Sequence, residues 1–172
     1  MKATGMIRRM DELGRVVIPK EIRRTMHLKE GEELEIYAQE EGLFLKKYSA
    51  VGNLEDSAEG YVRVVERLVG NVVFVADTER LLVGVGKGAQ NEQGDLLSAA
   101  VAGCMQKRKS AVLNHVAMSK GGAERAYLMV SPLVVRGDLF GAILLASDRP
   151  VGNREQGVVE TACCLFSQEI GE

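Results

Sequence analysis

Two short strand-like runs open the chain, residues 4–10 and 15–18, joined by Asp11-Glu12-Leu13-Gly14, whose glycine can adopt a positive φ. The pattern predicts a hairpin. Pro19 then suits a first helical position, Glu21 falls in the first turn, and Ile22 and Met26 repeat at i, i+4, which predicts a short helix ending near His27. Next, Leu34 and Ile36 alternate with Glu33, Glu35 and Tyr37, and Glu41-Gly42 offers a turn before Leu43, Leu45 and Lys47. This predicts a second hairpin. Strands this short in a unit of under fifty residues cannot close a sufficient core alone, so an obligate dimer with interleaved chains is expected.

Asn53 is placed as an N-cap, and Leu54, Ala58, Tyr61, Val65 and Leu68 then recur in steps of four and three. The resulting linker helix, 53–69, suits either a coiled-coil seam or an amphipathic helix lying on its own domain. Beyond Gly70 the pattern predicts strands at Val72–Ala76 and Leu81–Val85 and a helix from about Asp95 to Lys107. A long hairpin follows, Tyr127–Val135 and Leu139–Ser147, turning through Arg136-Gly137-Asp138. A last helix, capped by Asn153, aligns Val159, Cys163, Phe166 and Ile170. Mixed strands and helices with terminal antiparallel pairing make the fold class α+β.

The 172 residues, 46% of them hydrophobic, suffice for a real core in one domain or two small ones. A formal net charge of -2 excludes a protein that is basic throughout. Charge is nevertheless uneven. Residues 1–24 hold seven Lys/Arg against three acids, a balance of +4, whereas 25–48 and the remainder each total -3. No apolar run matches a bilayer span or a signal peptide, so a soluble, cytoplasmic protein with no membrane partner is expected. Three cysteines, with Cys163 and Cys164 adjacent, fit a reducing compartment rather than a disulfide framework.

Within the basic segment, Arg8 and Arg9 point to opposite faces if their run is a strand. Lys20, Arg23 and Arg24 share one face of the short helix, and Arg15 enters directly from the hairpin loop. A two-fold dimer would duplicate each basic group on one surface. Such a surface suits phosphate contacts on double-stranded DNA, with arginine also able to bond guanine bidentately. A run of seven bases taken alone is more often a solvated face.

The stretch from Lys2 through Arg8-Arg9-Met10-Asp11-Glu12-Leu13-Gly14-Arg15-Val16-Val17-Ile18-Pro19-Lys20-Glu21-Ile22-Arg23-Arg24-Thr25 closely resembles the AbrB-type swapped-hairpin DNA-binding domain. So do Leu34-Glu35-Ile36-Tyr37 and Leu45-Lys46-Lys47-Tyr48. The resemblance implies two chains exchanging hairpins to form one β-barrel, with Arg8, Arg15, Arg23 and Arg24 as the principal DNA contacts. Lys2, Arg9 and Lys20 are secondary candidates on charge alone. The layout of the whole chain is similar to sporulation regulators of the SpoVT-AbrB family, which implies a GAF-like domain with a central antiparallel sheet. The expected domains are 1–50, for DNA binding and dimerisation, and 51–172, for oligomerisation and sensing of an unidentified small molecule. Helices 54–69 and 154–170 are expected to pair across subunits into a homotetramer on the nucleoid.

Other signals carry less. Gly84-Val85-Gly86-Lys87-Gly88-Ala89 fits a GxGxxG/A pattern after a strand, yet the next predicted helix is distant, and a loop at the rim of a GAF-type pocket is the preferred reading. His27 and His115 lack partners at ligand spacing, so no metal and no cofactor are expected. The cysteines are read as small buried hydrophobes rather than redox sensors. No nucleophile elbow or distinct acid pair points to an enzyme. The competing reading is an antitoxin-like interaction module built on the same N-terminal fold.

Overall fold

Residues 4–40 and 42–171 are described by the computed structural model, and the chain divides into two units, Met1–Tyr48 and Ser49–Glu172. In the first unit the predicted turn forms. The Asp11 amide donates to the Arg15 carbonyl at 3.0 Å, the Gly14 amide donates to the Asp11 carbonyl at 3.0 Å, and Gly14 takes φ 76°. The runs on either side of it form no ladder, contrary to the single-chain hairpin, because one chain supplies nothing to cover their apolar side chains. Ile7 is 88% exposed and Val17 74%.

Helix α1, Lys20–Thr25, starts after Pro19, whose carbonyl accepts from the Arg23 amide at 3.0 Å. It ends earlier than expected, since His27 adopts φ 53° and the Leu28 amide turns back to the Arg23 carbonyl at 2.7 Å. Strands β1, Leu34–Gln39, and β2, Gly42–Lys47, form the second predicted hairpin in a register that sets Ile36 beside Leu45 and Tyr37 beside Phe44. Glu41, expected in its turn, lies outside the described residues.

The second unit builds a five-stranded antiparallel sheet of β3 (Val72–Ala76), β4 (Leu81–Val85), β5 (Ala111–Ala117), β6 (Glu124–Val135) and β7 (Asp138–Ser147), ordered β4-β3-β7-β6-β5. Two-residue periodicity sends alternate side chains to opposite faces, and both faces are covered. On one, Val73, Val75, Met129, Leu133, Ile143 and Leu145 pack beneath α3 (Glu55–Val69) and α5 (Asn153–Ile170). On the other, Phe74, Leu128, Val130 and Leu144 pack with Val101, Cys104 and Met105 of α4 (Ala99–Met105). The hairpin between β6 and β7 turns at Arg136-Gly137, both with positive φ, as a two-residue connection requires.

Several boundaries moved. Asn53 is no N-cap: it ends α2 (Ala50–Asn53), whose cap is Ser49 accepting from the Gly52 amide at 3.0 Å, and α3 starts after Leu54. The helix expected from Asp95 begins only at Ala99, because Leu96 and Leu97 bridge to Arg80 and Ser119 and Ser98 caps α4. Gly152, rather than Asn153, caps α5. Strand β5 escaped prediction, its pattern broken by Asn114 and by His115, which sits at φ 53°. The glycines of the GxGxxG-like run serve close packing: a Cβ on Gly84 would meet the Phe74 ring at 2.2 Å, and one on Gly86 the Val72 backbone at 2.9 Å.

The segment between β4 and α4 is pinned by charge. Glu92, itself buried, pairs with Arg125 of β6 and accepts from the Ser119 hydroxyl at 3.1 Å. Removing one member of such a pair leaves the other charge uncompensated. Arg125→Met is therefore expected to destabilise the second unit by roughly 3 kcal/mol, read as a lowered urea midpoint, with Glu92→Gln added to Arg125→Met recovering part of the loss.

Candidate nucleic-acid interface

Arg8, Arg9, Arg15, Lys20, Arg23 and Arg24 are all exposed, while Lys2 lies outside the described residues. Among them Arg15 is the most constrained. Asp11 accepts from the Arg15 amide at 2.8 Å and the Leu13 amide at 3.0 Å, and its second oxygen accepts from Arg15 Nε at 2.7 Å. One carboxylate thus closes the turn and holds the guanidinium through its Nε. Asp11 was missed in the sequence reading. Its signal was present, an Asp opening a four-residue turn that ends in glycine.

Lys20, Arg23 and Arg24 sit on α1 as their spacing predicted, with Ile22 half-buried. Arg23 and Arg24 occupy the last turn, where a cation also complements the helix dipole. Arg8 and Arg9 precede the turn in a run without a ladder, so the alternation that would separate their faces is not imposed within one chain. No ion pair ties Arg8, Arg9, Lys20, Arg23 or Arg24 to an acid among the described residues. The unit offers cations free to meet external anions.

The second unit carries different features. Helices α3 and α5 run antiparallel, joined by the Tyr61 hydroxyl donating to Glu169 at 3.1 Å, Arg154 donating to the Leu68 carbonyl at 3.1 Å, and a Tyr61–Phe166 ring contact at 4.9 Å. The inward face of α3 is Ala58, Val62, Val65 and Val69, offset from the predicted seam. Outward lie Val64 and Leu68, which with Leu165 border a groove of about 830 Å³ between the two helices. Cys104 and Cys163 are buried as expected, and burial pushes both thiols up. Cys164 is exposed, against expectation, because it follows Cys163 on α5 and so turns off the core-facing stripe. No described helix is long and apolar enough to cross a membrane, and no group of metal ligands occurs among the described residues.

Comparison with known proteins covers both units. The family profile described as "Stage V sporulation protein T C-terminal, transcription factor" matches residues 53–171. The chain is 36% identical to stage V sporulation protein T of Bacillus subtilis (strain 168) over 177 residues, 99% of each protein. The chain belongs to the stage V sporulation protein T family. Within this family assignment the first unit is 58% identical over 48 residues to the transition state regulatory protein AbrB of Bacillus subtilis, spanning 28% of this chain and 50% of that protein. Residues 7–52 also match the profile described as "Antidote-toxin recognition MazE, bacterial antitoxin". The second unit has the GAF fold: the GAF domain from Acinetobacter phosphoenolpyruvate-protein phosphotransferase covers 73% of this chain and 84% of its own length, with a TM-score of 0.57 at 17% identity.

Hydrogen bonds from Arg15 hold the Asp11 carboxyl below its ordinary value. A depressed carboxyl contributes order that is complete above the ordinary Asp value and lost as pH falls through the lowered one. Acid titration followed by NMR should therefore show the Leu13 and Arg15 amide signals moving together at a pH below that of a free Asp, and Asp11→Asn should abolish this step.

Proposed function

We propose that the chain is a non-enzymatic, sequence-tolerant DNA-binding transcription regulator of sporulation or transition-state genes, acting in the cytoplasm on the nucleoid. The first unit, near residues 1–50, binds double-stranded DNA as a two-chain swapped-hairpin barrel, and residues 51–172 oligomerise. The observation that carries this reading is the pairing of an exposed arginine set with an uncovered apolar surface in the same forty-eight residues. Of seventeen large hydrophobics left exposed among the described residues, thirteen fall in the first unit. Burying each is worth about 1.5–3 kcal/mol, so a second copy interleaving its own 4–18 segment is the natural cover.

In that dimer Arg8, Arg15, Arg23 and Arg24 occur twice on one surface and act as the principal DNA contacts. Lys2, Arg9 and Lys20 add charge at the periphery. Phosphate contacts supply affinity that depends on salt rather than sequence, and this fits a regulator tolerant of many sites. The antitoxin-like reading is not favoured, because its profile spans residues 7–52 whereas the sporulation regulator aligns along the whole chain.

For the second unit, the α3–α5 groove supports tetramer formation. Val64, Leu68 and Leu165 are about half exposed on adjacent helices, a stripe that a second α3–α5 pair would cover. A small molecule sensed by this unit would have to bind away from the core between the sheet and α4. That space is occupied by Phe74, Met105, Met118, Leu128 and Leu144, none more than 1% exposed.

Arg15→Ala removes one contact per chain, hence two per dimer. The salt slope of DNA binding should flatten by about two, and Arg23→Ala with Arg24→Ala should flatten it further, both seen in fluorescence anisotropy across salt concentrations. Unchanged slopes would place the interface elsewhere. Replacing Val64, Leu68 and Leu165 together by Ser should leave a DNA-binding dimer where light scattering of the wild type gives a tetramer. A dimer in both proteins would remove the groove from the assembly.

A further inference from the structure

The GAF-fold unit has a second cavity, on the face that carries α5. Strand β5 starts at Ala111, opposite Val130, so the end of β6 from Pro132 to Val135 pairs with β7 on one side and with no strand on the other. Between this free edge, α5 and the segment that follows α4 lies an open cavity of about 910 Å³. Arg108 and Arg136 both line it.

These two arginines share a second property. Arg108 has φ 54° and Arg136 φ 51°, in the left-handed region that L side chains rarely adopt. Arg136 stands first in a two-residue hairpin turn, where Asn or Gly is the low-strain choice. Arg108 follows the end of α4, its amide donating to the Met105 carbonyl at 2.9 Å, again a place for glycine. Of the four non-glycine residues with positive φ among the described residues, two are histidines, His27 and His115, and the other two are these arginines, which border one cavity. Neither has an acid partner among the described residues. Strain kept at two converging positions points to a role for the side chains rather than the backbone.

Ser110, whose hydroxyl shares a hydrogen bond with that of Ser131 at 3.0 Å, and Gln168 with its amide add polar groups to the lining. Glu160 and the carboxyl end of α5 border the same space and oppose an anion. Two guanidinium charges outweigh one carboxylate and a helix end worth about half a charge. Among the described lining residues the balance stays positive. Guanidinium forks suit the paired oxygens of phosphate and carboxylate groups.

We propose that the cavity between the free edge of β6 and α5 binds a small phosphate- or carboxylate-bearing polyanion through Arg108 and Arg136. This site is separate from the filled core beneath α4 and does not depend on DNA binding by the first unit.

Cys164 supplies a local reporter, since it lines the cavity and is exposed while Cys104 and Cys163 are buried. In the full chain at fixed ionic strength, pyrophosphate or citrate should slow alkylation of Cys164 by iodoacetamide saturably and several-fold. Whichever anion protects at the lower concentration identifies the ligand as phosphate-like or carboxylate-like. The double variant Arg108→Gly/Arg136→Asn should lose this protection, with half-saturation moved at least tenfold upward. Its thermal unfolding midpoint should be unchanged or raised, because both replacements suit a positive φ. Arg15→Ala should keep the protection. Persistence of protection in the double variant, its loss in Arg15→Ala, or no protection by either anion overturns the proposal. So does a double variant that weakens DNA binding and flattens its salt slope while the anions have no effect, which would make this rim a DNA contact instead.

Discussion

One chain of this protein cannot bury the apolar side chains of its own first forty-eight residues, and the functional arrangement follows from that constraint. Neither hydrophobic cluster of buried side chains includes a residue before Val51. Ile7, Met10, Leu13, Val16 and Val17 flank the arginines along the sequence and face solvent. In the proposed two-chain barrel a second copy would supply the missing cover and leave Arg8 and Arg15 on the outside. In this sense the apolar pattern and the charge pattern of the segment describe one object, seen from its inside and its outside.

The second unit has the opposite economy. Its sheet is covered on both faces by its own helices and loops, with Phe74, Leu133, Ile143 and Leu144 wholly inaccessible. It folds around itself and has surface left over: the α3–α5 groove, and the cavity beside β6. The ion pair of buried Glu92 with half-buried Arg125 holds the segment before α4 against the sheet. The polar cluster fixes that segment in place and leaves the remaining variability to the periphery.

Much of this was legible in the sequence, and the failures have physical causes. The β6–β7 hairpin was readable because the apolar arms Tyr127–Val135 and Leu139–Ser147 flank a turn that includes Arg136-Gly137. The first hairpin was read correctly as a pattern but not as a single-chain structure, since periodicity records which side chains want cover and is silent on which chain gives it. Strand β5 was invisible because Asn114 and His115 interrupt its alternation and, at the edge of the sheet, much of it stays partly exposed. Asp11 was overlooked because an acid in a basic segment reads as a charge defect, and only the geometry of its hydrogen bonds reveals that it serves the arginine beside it.

That last contact bears on how such a protein can bind DNA quickly and still let go. A free arginine side chain must surrender most of its rotamers when it meets a phosphate. In Arg15 the Asp11 carboxylate, bonded to Nε, already restricts that freedom. The ordering is completed during folding, so the encounter with DNA has less left to freeze. At the proposed Arg15 contact, the Asp11 carboxylate would also repel the phosphate, which would limit how tightly the pair holds it. A regulator that must sample many sites gains from both effects, a hand held open and a grip that stays light.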